Sequence, residues 1–266
     1  MQINFSKYHG AGNDFILIDN RNGIFAGGTS EIKLMCDRHF GIGADGLILL
    51  CKSEHYDFEM KYYNSDGTIS TFCGNGSRCV AYYAYTLGIA GKIMTFSAAD
   101  GIHEAHILEN RKVLMQMRDV KITVKSDMEF LADTGSPHIV IFSENLDQTD
   151  VRKKGSAVRY SEEYRTKGIN VNFAELKEEI LHVRTYERGV EDETLSCGTG
   201  VTASALSAAL FYKLASPVKV ITKGGEFAVN FSPGTNKDFT KIELEGPVEF
   251  VFSGNYFING KHETAT

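Results

Sequence analysis

The sequence predicts an α+β fold built as two similar halves. Two observations carry this prediction. Short β-rich runs outnumber helical patterns along the 266 residues. The motif Cys-Gly-x-Gly, each time followed by an apolar helical stretch, occurs at Cys73 and again at Cys197, 124 positions apart. A chain of this length holds one large domain or two of moderate size, with room for a sizeable core.

The elements follow in order. "DFILID" and "GLILL" are short, β-branched or leucine-rich, and bounded by Gly or Asp, so they read as strands. Between them "TSEIKLMCDRHF" reads as a capped amphipathic helix, with Ile32, Met35 and Cys36 on one face and Gly41 as its stop. "FEMKYY" is a further strand. After Cys73, the spacing of Val80, Ala81, Tyr83, Ala84 and Leu87 predicts a helix with one buried face, ended by Gly88 and Gly91. "KVLMQMRDV", "HIVIF" and "ILHVRTY" read as strands. "GTGVTASALSAALFYKL" is a helix of small and apolar residues, expected to be buried on most sides. "VKVIT", "FAVNF" and "KIELEG" complete the strands.

The two halves match beyond the cysteines. "GAGNDFILID" resembles "DTGSPHIVIF", with Gly12 over Gly135. "GIGADGLIL" is set against "GINVNFAEL", with Gly41 over Gly168, an offset of 127. "FEMKYYNSDG" resembles "HVRTYERGVE", and three strands follow each helix. An internal repeat of this kind divides the chain into 1–118 plus 253–266 and 119–252. The final "GNYFING" has no counterpart in the second half and is expected to pair back onto the first.

Composition narrows the function. The chain is 42% hydrophobic and 23% charged, with formal charge −6. Without a basic excess, neither a nucleic acid nor an anionic membrane surface is an expected partner. No apolar run approaches a membrane span, and the opening residues lack the apolar core of a signal peptide. The cytoplasm is the expected address. The five cysteines are odd in number and include no Cys-x-x-Cys pair, so reduced thiols are expected, with no metal. Cys36, Cys51 and Cys79 fall on apolar patterns and read as core.

Cys73 and Cys197 differ. Each immediately precedes glycines that open a helix. Unpaired N–H groups and the helix dipole at that point favour a thiolate, and bare glycine backbone lets an anion approach. Two such thiols on opposite faces of one carbon suit inversion of a stereocentre: one removes a proton and the other returns one. A glycine-rich capping turn, or a redox disulfide between the two, are the competing readings.

Longer blocks decide among these. "KYHGAGNDFILID", "HFGIGADGLI", "YYNSDGTISTFCGNGSRC", "GSPH", "GINVNF" and "YERGVEDETLSCGTG" together resemble the diaminopimelate epimerases along the whole chain. The resemblance implies two pseudo-symmetric domains. Each is a curved, mostly antiparallel, barrel-like sheet around a central helix, with the active site in the interdomain cleft. It implies epimerisation of LL- to meso-diaminopimelate, in lysine and peptidoglycan precursor synthesis, without pyridoxal or any other cofactor, by a homodimer. Cys73 and Cys197 would be the acid/base pair, supported by His138 and Glu187 respectively. Gly74, Asn75, Gly198 and Thr199 would bind the carboxylate at the reacting carbon. Asn13, Asn64, Asn170, Glu187 and Arg188 would hold the distal amino acid head. The chain departs from the commonest pattern at Ser136, where many members have Asn, at Ile69, and in "ERGVEDET", which is one residue longer. Proline racemases and hydroxyproline epimerases share the two-thiol logic but need no clamp for a second head. A redox-switched amino-acid-binding protein is the non-enzymatic alternative.

Overall fold

The computed structural model describes residues 2–70 and 73–258. Thr71, Phe72 and the last two residues of "GNYFING" lie outside them. The chain forms two compact units, Met1–Val113 with Val248–Thr266, and Leu114–Pro247.

The first unit contains β1 (Gln2–Gly10), β2 (Asn13–Asp19), α1 (Thr29–Cys36), β3 (Gly46–Cys51), β4 (Phe58–Asn64), α2 (Gly74–Thr86), β5 (Ile93–Ala98) and β6 (Gly101–Ile107). Strand β7 (Lys112–Gln116) carries the changeover. The second unit contains β8 (Val120–Lys121), β9 (Thr123–Val124), β10 (Glu129–Asp133), β11 (Pro137–Phe142), α3 (Val151–Arg159), β12 (Asn170–Lys177), β13 (Ile180–Glu187), β14 (Asp192–Thr194), α4 (Gly198–Tyr212), β15 (Val218–Thr222), β16 (Gly225–Pro233) and β17 (Asp238–Pro247). The chain then returns as β18 (Glu249–Phe257), which pairs antiparallel with β1. Gly254–Phe257, of the segment expected to do so, pair with β1.

Each unit repeats one wiring. In the first, β1 and β2 form a hairpin, β2 runs parallel to β3, β3 antiparallel to β4, β4 parallel to β5, and β5 antiparallel to β6. In the second, β10–β11, β11–β12, β12–β13, β13–β15 and β15–β16 repeat those senses in order. Parallel neighbours need a long crossover. Helices α1 and α2 supply the two crossovers of the first unit, and α3 and α4 those of the second. The fold is α+β.

Strand register corrects the repeat alignment in one place. Phe15 pairs with Gly46 in the first unit, and His138 with Asn170 in the second. Gly46 therefore corresponds to Asn170 at an offset of 124, not 127. "GLILL" lies over "NVNFA", and Ile48 corresponds to Asn172.

Burial explains why the strands read as continuous apolar runs. Residues Phe15–Ile18 and Gly46–Cys51 are buried throughout, because helices cover both faces. Ile16, Ile18, Leu47 and Leu49 pack with Ile32, Met35 and Cys36 of α1. On the opposite face Phe15 and Ile48 approach Gly76 of α2. In the second unit Ile139, Val171 and Phe173 pack with Val151 of α3. Helix α4 is buried at Gly198 and from Gly200 to Ala209. Its Ala, Ser and Gly side chains let strands approach all round.

Three local expectations are corrected. Helix α1 ends at Cys36, not Gly41, because the Asp37 carboxylate accepts from the His39 and Phe40 N–H groups, at 2.8 Å each, and turns the chain. Its N-cap is Gly28, which has no capping side chain. Leu87 is exposed at the end of α2, just before Gly88 at φ +68°. "KVLMQMRDV" divides into β7 and β8. Helix α3 escaped the pattern because only Val151 and Gly155 are buried on it; its one legible signal is the N-cap Asp150, which accepts from Lys153 N–H.

Candidate active site

In the first unit, Cys73 is the N-cap of α2, and its Sγ accepts from the Gly76 N–H at 3.5 Å. The turn joining β1 to β2 brings up its neighbour. Ala11 and Gly12 both have positive φ, 53° and 87°, closing a two-residue hairpin that starts β2 at Asn13. Asn13 Oδ1 lies 3.6 Å from Cys73 Sγ and 3.3 Å from Asn75 Nδ2. Asn13 Nδ2 donates to Asp45 at 2.7 Å. Arg78, fully buried one turn along α2, donates to Asn75 Oδ1 at 2.7 Å and to the Gly74 carbonyl at 3.3 Å. Burial lowers the Arg78 pKa to about 10, so it stays cationic at neutral pH.

Asn64 ends β4 opposite Gly46, at the same end of the sheet as Asn13. Its side chain donates to Thr68 Oγ1 at 3.3 Å, and its carbonyl accepts from Gly67. A charged group braces this end. Arg38 reaches Asp14 and Asp45, and Lys7 reaches Asp14. Burial would raise the Asp14 pKa, but hydrogen bonds from Arg38 and Lys7 outweigh it and hold the carboxyl well below its usual range.

In the second unit, Cys197 is the N-cap of α4, and its Sγ lies 3.4 Å from Thr199 Oγ1. Thr199 Oγ1 is 2.9 Å from His138 Nε2, and its carbonyl accepts from Thr134. His138 Nδ1 lies 3.1 Å from Asn172 Nδ2. Asn172 also donates to the Ile139 carbonyl and accepts from Thr185. Burial first, then the nearby Arg188 cation, lowers the His138 pKa to about 3 despite the Asn172 bond, so the ring is neutral at pH 7. These described bonds of His138 lie within its own unit, toward the helix that Cys197 caps.

Asn170, Arg188 and Ser136 form a cluster beside this chain. Asn170 Nδ2 donates to Ser136 Oγ and the Pro137 carbonyl, while its Oδ1 accepts from the Arg188 N–H. The Arg188 guanidinium reaches Ser136 Oγ at 3.3 Å and the Lys167 carbonyl at 3.2 Å. Ser136, a departure from the commonest pattern, thus accepts from both. Glu187 ends β13 and accepts from Thr194 Oγ1 at 2.9 Å. The long "ERGVEDET" segment folds as a hairpin, with Gly189 and Glu191 at positive φ and β14 returning onto β13. Its other carboxylates are engaged: Glu191 with Arg159, Tyr186 and Gly189, Asp192 with Arg152, and Glu193 with Arg184 and Lys223.

Residue patterns missed Asn172, Thr134, Asp45 and Arg78. The second asparagine of "NVNF", polar inside an apolar strand, was the one sequence signal for Asn172. Among the described residues no group of His, Cys, Asp and Glu is arranged to hold a metal. No helix of the described residues is long and apolar enough to cross a membrane.

The family model described as diaminopimelate epimerase matches residues 5–123 and 130–251. The diaminopimelate epimerase of Flavobacterium psychrophilum is 49% identical over 249 residues, covering 92% of this chain and 97% of that protein. That of Chlorobaculum tepidum is 44% identical over 255 residues, covering 92% and 98%. Among solved structures, a Bacillus anthracis phenazine biosynthesis protein of the PhzF family superposes with TM-score 0.75 at 16% identity, over 97% of this chain and 100% of that one. A probable proline racemase from Agrobacterium radiobacter superposes with TM-score 0.71 at 16% identity, over 97% and 93%. At such identities the structural likeness concerns the fold. With the sequence relatives and the family model, two cysteine-capped helices and their surrounding polar groups lead to one assignment: the chain belongs to the diaminopimelate epimerase family.

Proposed function

We propose that this protein interconverts LL- and meso-diaminopimelate by two-base proton transfer at one α-carbon, with Cys73 and Cys197 as the pair and no pyridoxal cofactor. The observation that carries the reading is the repeated one: each unit places a cysteine at the N-cap of a helix that opens with Gly-x-Gly. One thiolate takes the α-proton and the other thiol supplies a proton to the opposite face. The N–H groups of Gly74, Asn75, Gly198 and Thr199 then hold the reacting carboxylate as charge develops on it. The Asn170–Ser136–Arg188 cluster, with Asn13, Asn64 and Glu187, would hold the second amino acid head. A guanidinium suits its carboxylate, and amide or carboxylate oxygens suit its ammonium. His138 and Glu187 act as supports for the thiols rather than as the transferring groups.

The reaction places the protein in lysine and peptidoglycan precursor synthesis. We take it to act in the cytoplasm, supported by five free thiols. We take it to act as a homodimer, supported by the exposed Phe250, Phe252 and Phe257 on β18; light scattering decides the latter. The test of the reaction is LL-diaminopimelate in deuterated water. Deuterium should enter one α-carbon as the meso form appears, and proline should not exchange. Exchange into proline but not diaminopimelate would make it a ring-substrate racemase. Unchanged turnover in Cys73→Ala or Cys197→Ala would remove the two-thiol mechanism.

A further inference from the structure

Arg78 lies five positions after Cys73 and Thr202 five after Cys197, so the two share the offset of 124 that relates the cysteines. Both side chains are fully buried. Both bond back to the glycine that follows the cysteine. The Arg78 guanidinium donates to the Gly74 carbonyl at 3.3 Å, and Thr202 Oγ1 donates to the Gly198 carbonyl at 3.1 Å. A threonine bonding four residues back is common in helices. A buried guanidinium at the matched place is not, because its burial is costly and an apolar side chain of similar volume would avoid that cost.

Each glycine carbonyl belongs to a peptide unit whose other end bears on the site. Gly74 C=O shares its plane with Asn75 N–H, and Gly198 C=O with Thr199 N–H. In a trans peptide the two groups point in opposite directions. These N–H groups fall in the first turn, where a helix supplies no carbonyl of its own for them. A hydrogen bond received at the oxygen polarises the N–H across the same unit and makes it a stronger donor. It also holds the peptide plane in place. Arg78 does more, because its fork also donates to Asn75 Oδ1 at 2.7 Å. That turns Asn75 Nδ2 toward Asn13 Oδ1, 3.3 Å away. The backbone of β1 comes close here: a Cβ on Gly10 would lie 2.8 Å from the Asn75 carbonyl oxygen and 3.3 Å from Arg78 Nη2.

We propose that Arg78 and Thr202 are positioning residues of the two cysteine-capped helices, each orienting and polarising the first peptide unit after its cysteine so that the Asn75 and Thr199 N–H groups grip a carboxylate. The inference rests on the reading that these N–H groups hold the carboxylate at the reacting carbon. Neither side chain acts by touching the substrate; each acts through the peptide in front of it. The two differ in strength. Arg78 is cationic at neutral pH, and a hydrogen bond from a charged donor is about twice as strong as a neutral one. Loss of Arg78 therefore costs more than loss of Thr202, and each loss is felt at its own helix.

The experiment is an acetate titration of the whole protein, read from the amide nitrogen-15 and proton signals of Gly74, Asn75, Gly198 and Thr199, with diaminopimelate kinetics alongside. Acetate should move all four amides in wild type. Thr202→Val removes the hydroxyl at nearly constant volume. It should weaken the acetate response at Gly198 and Thr199 by about fivefold, the worth of one neutral hydrogen bond, and leave Gly74 and Asn75 unchanged. Thr202→Ser keeps the hydroxyl and should match wild type. Arg78→Met should weaken the response at Gly74 and Asn75 by about tenfold or more. Arg78→Lys keeps the charge but not the fork and should fall between. In Thr202→Val and Arg78→Met kcat/KM should fall by similar factors, mostly through kcat, because the carboxylate carries more charge once the α-proton has left. An unchanged acetate response and unchanged kcat/KM in Thr202→Val overturn the proposal, even if the Arg78 variants fail to fold. An equal loss in Thr202→Ser also overturns it, since packing would then be the cause. So does a wild type in which acetate moves none of the four amides. Acetate needs no turnover, so the expected shifts without conversion of diaminopimelate would count against the proposed function alone.

Discussion

The second glycine of each Cys-Gly-x-Gly motif allows one substitution to be compared in two settings. At Gly200 an added Cβ would lie 2.4 Å from Asn172 Oδ1. That oxygen belongs to a buried amide bonded to Thr185, Ile139 and His138, so it cannot yield without breaking those bonds. At Gly76 the added Cβ would meet Ile48 Cδ1 at 2.8 Å, the tip of a flexible chain, and Phe15 at 3.4 Å. Gly→Ala within a helix gains at most about 1 kcal/mol. Losing three buried hydrogen bonds at about 1 kcal/mol each, with some overpacking, outweighs that gain at Gly200. Gly200→Ala should therefore be less stable by about 2–4 kcal/mol, and Gly76→Ala should stay within about 1 kcal/mol of wild type. Urea unfolding followed by circular dichroism measures both. With a slope of about 3 kcal/mol per molar, Gly200→Ala should lower the midpoint by roughly 1 M. If Gly200→Ala matches or exceeds wild type while Gly76→Ala does not, the account of the Asn172 chain is wrong.

Four further outcomes follow. His138, with its pKa lowered to about 3, binds no proton in the native state where the unfolded chain does. Its contribution to stability is complete above about pH 6.5 and is lost as pH falls toward 3, by at most about 1.4 kcal/mol per pH unit. Urea midpoints from pH 8 to 4 should fall accordingly, and a His138→Gln variant should lose that part of the slope. Asp14, its carboxyl held low, loses stability in a separate and more acid window, below the usual carboxylate pKa of about 4. Cys36, raised to about 12 by burial, should alkylate about a thousandfold more slowly than an exposed thiol at pH 8, as read by peptide mass spectrometry; equal rates would show that this core opens readily. Arg188→Lys keeps the charge but loses the fork that reaches Ser136 and Lys167. It should lower kcat/KM for diaminopimelate by about 10–100-fold, and an unchanged value would remove Arg188 from the proposed clamp.

Local rules of chain chemistry were enough for the sequence to determine the α+β class, the helix after each Cys-Gly-x-Gly, and the all-round burial of α4. Apolar period, glycine and small-residue content act over a few residues and leave their mark in order along the chain. The same rules failed where a local signal was absent or overridden. Helix α3 has little apolar face, and α1 stops at Asp37 because a carboxylate captures two amides before Gly41 is reached. The repeat register was one the tertiary structure alone could settle. Sliding Gly41 over Gly168 looked as good in letters, but hydrogen bonding of parallel strands sets Gly46 against Asn170. Long-range pairing also decided the electrostatics of the site. Asp45 meets Asn13 from 32 positions away, Asn172 meets His138 from 34, and Thr199 meets His138 from 61. Two cysteines that look equivalent in sequence thereby acquire different surroundings, because Asn13 reaches Cys73, and His138 reaches Thr199 beside Cys197, only once the strands have paired.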